Sequence, residues 1–405
     1  GVITKNSSFQ YMMVLEVDKY NDIKEMFKQI EGYEEIEYAE PNYILTTHDS
    51  PPNDTRYDLQ DGYEQATDND IDANRAWDFT TGNEGIKVGV IDNGVDYHNI
   101  DLGNGAFNTT GAKVRGGWDY INGDNNPDDT DNGTSSHGTP VAGIIGASRN
   151  NGVGVAGLAG GDEGNLWVQI IALKIGNGRS LSTSNAIDAI IEASSNTSGF
   201  GYGCHILNNS WGGGNYNESL RNAIRFAAQN NVVFVASKGN DNVNDLNYPS
   251  DYDESWVLSV GATDINDQRV NIPGWWGSNF GNGIDVAAPG RLNIVETTAT
   301  VEEGSWRSFN GTSAAAPHVS GLAALILSEA IEQGISLHHE EVENLIEVSS
   351  EDTNGNGYDD DLGHGRINVG RALEYMNQPW EITHQSAVGG TIVNSTDWYN
   401  TIFYG

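Results

Sequence analysis

Between about residues 85 and 330, short apolar runs alternate with longer stretches in which apolar residues return every three or four positions. The runs Ile86–Asp92, Val168–Ile175, His205–Ser210, Val232–Ser237, Trp256–Gly261 and Ile284–Ala288 are rich in Val and Ile. Their near-continuous apolarity is that of strands covered on both faces. His137–Ser148, Thr183–Ser194, Glu218–Gln229 and Ser313–Ala330 predict helices, the last with Val319, Leu322, Leu325 and Ile326 on one face. Strand–helix alternation predicts an α/β fold, a three-layer open and mostly parallel sheet with helices on both faces. In such sheets chemistry sits beyond the carboxyl ends of the strands.

The ends of the chain read differently. Tyr11–Val17 and Glu35–Leu45 predict strands, and Asn21–Ile30 a helix with Ile23, Met26, Phe27 and Ile30 on one face. Two strands and a helix bury little core alone, so residues 1–46 read as a small α+β piece of a larger module. Thr46–Asp70 turns polar around Pro51-Pro52 and predicts a linker that leads, over 47–74, into a main domain at 75–377. Trp380–Gly405 mixes β-branched and aromatic residues with turn signals, so 378–405 reads as the first strands of a further, truncated β-rich extension.

Charge narrows the function classes. Of 405 residues, 57 are Asp or Glu and 20 Lys or Arg, a net charge of −37 that repels nucleic acid and anionic membrane. With 37% hydrophobic residues and 10 Trp, the chain is no disordered acidic polymer. The longest apolar stretch, near Gly321–Leu327, falls short of the roughly 20 residues that span a bilayer. A single Cys allows no internal disulfide and no Cys-based zinc site, and Cys204 reads as core packing. The excess carboxylate fits a salt- or cold-adapted surface, calcium sites, or both.

Three segments carry candidate chemistry. Val88-Gly89-Val90-Ile91-Asp92-Asn93-Gly94 places Asp92 where a strand ends in a turn, Ser136-His137-Gly138-Thr139-Pro140 places His137 at a helix start, and Asn310-Gly311-Thr312-Ser313-Ala314 places Ser313 in a helical first turn. Each has an ordinary reading alone, as an Asx turn, a surface histidine and an N-cap. Together and in this order they resemble the subtilases, the subtilisin-like serine proteases, over roughly residues 75–372. The resemblance implies a serine endopeptidase in which Ser313 is the nucleophile, His137 its base, and Asp92 the residue that orients the imidazole. In Val235-Ala236-Ser237-Lys238-Gly239-Asn240, it gives Asn240 the role of oxyanion donor. Lys238 departs from the small apolar residue of many relatives and points either outward or into the groove. Ser210, Trp211, Gly212 and Gly239 match the substrate-binding segments, whose glycine wall suggests a pocket for large apolar side chains and broad specificity.

Calcium is the implied cofactor. Asp119–Asn132 holds nine Asp or Asn residues, and the resemblance favours Asp119, Asp124, Asn126 and Asp128 as ligands. A second set is Asp101 with Asn151, Val153 and Val155, partly through backbone carbonyls. A third is Asp352, Asn354, Asn356 and Asp360, which open like a calcium loop but lack its twelfth-position Glu. Glu37-Tyr38-Ala39-Glu40-Pro41-Asn42-Tyr43 resembles the end of a subtilase propeptide. It implies an inhibitory prosegment as intramolecular partner and self-cleavage between about Leu45 and Pro51. The expected protein is a secreted monomer acting on protein or peptide substrates. The alternatives are an inactive subtilase-fold binding module and a peptide-transamidating relative.

Overall fold

In the computed structural model, residues 2–6, 9–14, 51–129, 136–162, 167–197, 201–252, 255–281, 283–291, 295–355 and 357–377 are described. The chain divides into two compact units, Gly1–His48 and Asp49–Gly405. In the first, β1 (Val2–Asn6) and β2 (Phe9–Val14) form an antiparallel hairpin with Val2 opposite Val14. The predicted Tyr11–Val17 strand shares Tyr11–Val14 with β2, which starts two residues earlier, and residues 15–17 lie outside the described residues. The predicted helix Asn21–Ile30, the strand Glu35–Leu45 and the extension 378–405 lie outside the described residues.

The second unit is built on seven strands: β3 (Lys87–Asp92), β4 (Val114–Asp119), β5 (Gln169–Lys174), β6 (Ile206–Asn209), β7 (Val233–Ser237), β8 (Leu258–Thr263) and β9 (Val286–Pro289). They lie in the order β9-β8-β7-β6-β3-β5-β4, all pairs parallel. Strand periodicity sends alternate residues to opposite faces. Val88, Val90, Ile170, Ala172, Ile206, Val233 and Val235 join one core. Ile91, Ile171, Leu173, Leu207, Phe234 and Ala236 join the other.

The helices divide along the same line. After the short α1 (Ala73–Trp77), helix α2 (Gly138–Gly146) packs on the first core, as do α5 (Thr312–Gln333), α6 (His339–Ser349) and α7 (Val369–Asn377), while α3 (Thr183–Ser194) and α4 (Glu218–Gln229) cover the second. Ser182 and Asn217 cap α3 and α4 by accepting from the backbone N–H of Asn185 and Leu220. Helix α5 is long and apolar enough by composition to cross a membrane, yet 89% of that window is buried in the protein. It is the core helix of the fold. A hairpin of β10 (Glu296–Thr298) and β11 (Trp306–Ser308) flanks α2.

The stretch read as a linker is largely packed. Tyr57 and Tyr63 are buried with their rings 6.1 and 5.9 Å from Trp77. The Tyr63 hydroxyl donates to the Ile144 carbonyl at 3.1 Å, and Gln60 Nε2 to that of Ala156 at 2.8 Å. Polar composition here serves hydrogen bonds to the domain surface.

Candidate active site

Asp92 closes β3 and is 1% exposed. A buried carboxylate needs donors, and it has them. Asn93 N–H reaches Oδ1 at 2.8 Å, and His137 Nδ1 stands 3.0 Å from both carboxylate oxygens. The next residue, Asn93, fixes the histidine's backbone, its Oδ1 accepting from the N–H groups of His137 at 3.2 Å and Gly138 at 2.9 Å. Gly138 must lack a side chain, since a β-carbon there would stand 2.9 Å from Asp92 Cβ. The His137 ring meets Phe309 edge-on at 5.4 Å and stays 31% exposed. Burial alone disfavours the charged ring, but the charge and hydrogen bond of Asp92 outweigh it and hold the His137 pKa above its ordinary value.

Ser313 sits in the first turn of α5, behind Gly311 at φ +111°. Its hydroxyl donates to the Ser210 carbonyl at 3.0 Å, and the Ser210 hydroxyl donates back to the Ser313 carbonyl at 3.0 Å. The sequence explains this exchange. The helical donor to the Ser313 carbonyl would be residue 317, which is Pro and has no N–H. Asn240, just beyond β7, accepts through Oδ1 from Thr312 N–H at 2.8 Å and Thr312 Oγ1 at 3.2 Å. That engagement of its oxygen fixes the Asn240 amide beside the first turn of α5. A β-carbon on Gly311 would lie 3.3 Å from Asn240 Oδ1 and 3.4 Å from Nδ2, and the φ of +111° is what favours glycine there. Thr312 N–H goes to Asn240 and the N–H groups of Ala314 and Ala315 to the Gly311 carbonyl, while the positive end of the α5 dipole favours negative charge at this point. A histidine held by a buried carboxylate, a serine at a helix N-terminus and an amide donor are the parts of a serine hydrolase.

The neighbouring cleft differs from its expected form. Trp211 turns inward, donating Nε1–H to the Ile91 carbonyl at 2.9 Å and packing on the second core. The space between Gly212 and Gly239 holds the Asn247 amide. A β-carbon on Gly212 would stand 2.6 Å from Asn247 Nδ2, and one on Gly239 3.1 Å. Asn247 Nδ2 donates to the Lys238 carbonyl at 3.0 Å. Lys238 points neither outward nor into the groove. It is 1% exposed and pairs with Asp251 at 2.5 Å.

The carboxylates read as calcium ligands are largely engaged elsewhere. Asp119 accepts from Ile121 N–H at 2.7 Å, Asn122 N–H at 3.0 Å and Asn122 Nδ2 at 2.9 Å, with Lys174 Nζ 3.6 Å away. Asp124 accepts from Asn126 N–H, and Asn126 from the Tyr97 hydroxyl. Asp128 faces His98 instead. In the third set, Asp352 caps the N–H groups of Gly355 and Gly357 at 2.8 Å, Asn354 donates to Asp359, and the Asp360 carbonyl accepts from Gly281. Asn356 lies outside the described residues. These contacts make that loop a self-capped turn.

The second set fits a cation better, with a ligand the sequence pattern did not reveal. Asp101 is buried and accepts from Asn151 Nδ2 at 2.9 Å, Val155 N–H at 3.1 Å and Trp306 Nε1 at 2.7 Å. Asp54 comes up beside it from the supposed linker. Burial, with some repulsion from Asp101, raises the Asp54 pKa to about 6, and its buried Oδ1 has no hydrogen-bond partner among the described residues. An orphaned buried carboxylate oxygen beside a second carboxylate is a donor set that a hard cation satisfies.

Comparison with known proteins agrees with this site. The subtilase family profile matches residues 83–365. Over 358 residues, the chain is 33% identical to a thermophilic serine proteinase of Bacillus sp. (strain AK1), covering 88% of this chain and 77% of that protein. It is also 33% identical to thermitase of Thermoactinomyces vulgaris, over 75% of this chain and 94% of thermitase. Among solved structures, a protease from Pseudoalteromonas arctica PAMC 21717 superposes with a TM-score of 0.65 at 29% identity, covering 80% of this chain and 99% of that one. The fold and the site define a serine endopeptidase. The chain belongs to the subtilase family.

Proposed function

We propose that the chain hydrolyses peptide bonds through Asp92, His137 and Ser313, with Asn240 and the α5 N-terminus stabilising the oxyanion. The observation that carries this reading is the His137 imidazole, fixed by both oxygens of a buried Asp92 and raised in basicity by them. Ser313 rests on the Ser210 carbonyl, and in the proposed step its hydroxyl leaves that acceptor for the imidazole. His137 takes the hydroxyl proton as Ser313 attacks the substrate carbonyl, then returns it to the leaving amine. Asp92 keeps the correct ring nitrogen protonated and offsets the imidazolium charge. Asn240 Nδ2 donates to the oxygen as it becomes negative, an effect worth about 3 kcal/mol. The acyl-enzyme then yields to water by the same steps in reverse.

The cleft supports a narrower substrate class than its glycines suggest. With the Asn247 amide between Gly212 and Gly239, the side chain preceding the cut bond is small, and substrate backbone pairs along Ser210–Gly212. Calcium would be held by the Asp54 and Asp101 carboxylates with Asn151, Val153 and Val155. When bound it neutralises two buried charges. The chain already joins the two segments there, Asn53 N–H donating to Asn150 Oδ1 at 3.0 Å and Gly154 N–H to Thr55 Oγ1 at 3.0 Å. Residues 1–46 act as an inhibitory prosegment removed by self-cleavage, and the mature enzyme is a secreted monomer. The likeness of Glu37–Tyr43 to a propeptide end and the separate unit Gly1–His48 support this.

Labelling with a serine-directed fluorophosphonate tests the reading. Prosegment-free, calcium-loaded protein carries the adduct on Ser313 by peptide mass spectrometry, and Ser313→Ala carries none. A folded sample that stays unlabelled would overturn catalysis in favour of a binding module.

A further inference from the structure

The loop that follows Asp92 brings two side chains that neither the catalytic nor the calcium reading uses, Asp96 and His98, against Asp128 of the first calcium set. Among the described residues, Asp96, His98 and Asp128 are the one group of three His, Asp or Glu side chains whose donor atoms all lie within 4.8 Å of one another. Asp96 is fully buried, with Oδ1 accepting from His98 N–H at 2.8 Å and Oδ2 from Val301 N–H at 2.8 Å. His98 Nδ1 stands 3.2 Å from Asp96 Oδ1 and 3.3 Å from Asp128 Oδ2.

Those separations fit an ion-binding arrangement as well as a hydrogen-bonded one. A charge-assisted N–H···O bond draws its atoms to about 2.7–2.9 Å, and one ring N–H can point at only one oxygen. Here both oxygens stand farther off and at nearly equal range. Ligands at about 2.0–2.1 Å from a tetrahedral ion stand about 3.3–3.4 Å from one another. The 3.2 Å contact with Asp96 Oδ1 is within hydrogen-bond range, and both distances from Nδ1 are also close to those between neighbouring ligands of one ion.

We propose that Asp96, His98 and Asp128 bind a divalent transition-metal ion of the zinc or cobalt class. One imidazole nitrogen with two carboxylates is a mixed donor set that suits such ions, whereas calcium takes an all-oxygen shell. The two carboxylates balance the ion's charge. His98 is 48% exposed, which leaves a solvent side for entry and for a water as fourth ligand. The surroundings hold the ligands in place. Tyr97 stacks on Phe107 at 4.6 Å and donates to Asn126 at 2.7 Å, and Thr139 Oγ1 accepts from Asp96 N–H at 2.9 Å while donating to Asp129 at 2.7 Å. The ion would tie the loop bearing Asp92 to the acidic segment before His137. It is separate from the Asp54–Asp101 site.

The test uses the full chain with Ser313→Ala, to prevent self-digestion, in excess Ca2+ after chelator treatment. Dialysis against Zn2+ should leave one ion per chain by elemental analysis. Co2+ titration should give the visible absorption of a low-symmetry site. His98→Ala, at a half-exposed position, should keep its circular dichroism and bind at least tenfold more weakly, with no Co2+ band. His364→Ala, at an exposed histidine elsewhere, should bind as the parent does. Absence of binding by the parent, equal retention by His98→Ala, or displacement of Zn2+ by millimolar Ca2+ would each overturn the proposal.

Discussion

Asn247 and Lys238 show how single side chains alter a site whose motif is otherwise regular. Asp251 sits at the join, pairing through Oδ1 with Lys238 and accepting through Oδ2 from Asn247 N–H at 2.9 Å and Ser250 Oγ at 3.1 Å. The ion pair thus builds the floor on which the Asn247 amide lies. Removing one partner of a buried pair leaves an uncompensated charge, at a cost of about 3–5 kcal/mol. Lys238→Ala should lose that much in urea unfolding in a Ser313→Ala background. The double variant Lys238→Met, Asp251→Leu should recover most of it. Asn247→Gly vacates the cleft without touching the triad. The ratio of kcat/KM for Phe over Ala before the cut bond should then rise about tenfold or more. An unchanged ratio would show that Asn247 does not limit the pocket. At the histidine, Asp92 is what raises the pKa against burial. His137 works as a base only when neutral, so the acid limb of kcat/KM should lie above the ordinary imidazole range. Asp92→Asn should lower the rate about 10⁴-fold and move that limb to lower pH.

The long helix that bears Ser313 gives up one of its own hydrogen bonds at Pro317, and the strand end at Ser210 supplies the replacement. Ser210→Ala should leave the Ser313 carbonyl without that donor, at a cost of about 1–3 kcal/mol. Adding Pro317→Ala restores a helical N–H, so urea unfolding of the pair should cost less than the sum of the single changes. Additive losses would mean that the two residues do not share the carbonyl. Elements of this kind were legible to different degrees. Six buried strands showed as Val- and Ile-rich runs, and the observed ends fall within two residues of those read. β4 did not show, because Arg115, Gly116 and Gly117 interrupt its apolar pattern. α6 carries only a short signal, Val342, Leu345, Ile346 and Ser349 at helical spacing, too brief to stand out among the surrounding Glu residues. Asp92, His137 and Ser313 stood out through their flanking residues. Asp54 and Asn247 did not, since only the folded chain brings them to Asp101 and to the glycine cleft. Loop composition likewise says nothing of the turns that several acidic carboxylates cap, such as Asp119 and Asp352.

Charge is a property of the whole molecule, and buried carboxyls contribute to it unlike surface ones. Burial first, and repulsion second, raises Asp285 and Glu347 to about 7 and Glu343 well above its ordinary value. The nearby histidines bring no fixed charge, because burial lowers His339, which meets Glu343 at 3.2 Å, and His364, which stands 3.7 Å from Glu347. A carboxyl with a folded pKa above its unfolded value binds its proton more tightly in the fold. Its stabilising contribution is complete below the unfolded pKa of about 4 and is lost as pH rises through the folded pKa. Stability should therefore fall between about pH 5 and 8, where many proteins are near their maximum. Self-repulsion at a net charge of −37 acts in the same direction. Salt separates the two causes. Raising ionic strength from 0.01 to 0.15 M shortens the screening length from about 30 to about 8 Å, which weakens surface repulsion and leaves buried groups almost untouched. Melting of the Ser313→Ala protein, followed against pH at both salts with calcium fixed, should give a higher Tm in salt but keep the downward slope. Glu343→Gln with Glu347→Gln should flatten that slope, since an amide has no proton to lose. A slope that vanishes in salt and survives both substitutions would place the pH dependence on the acidic surface.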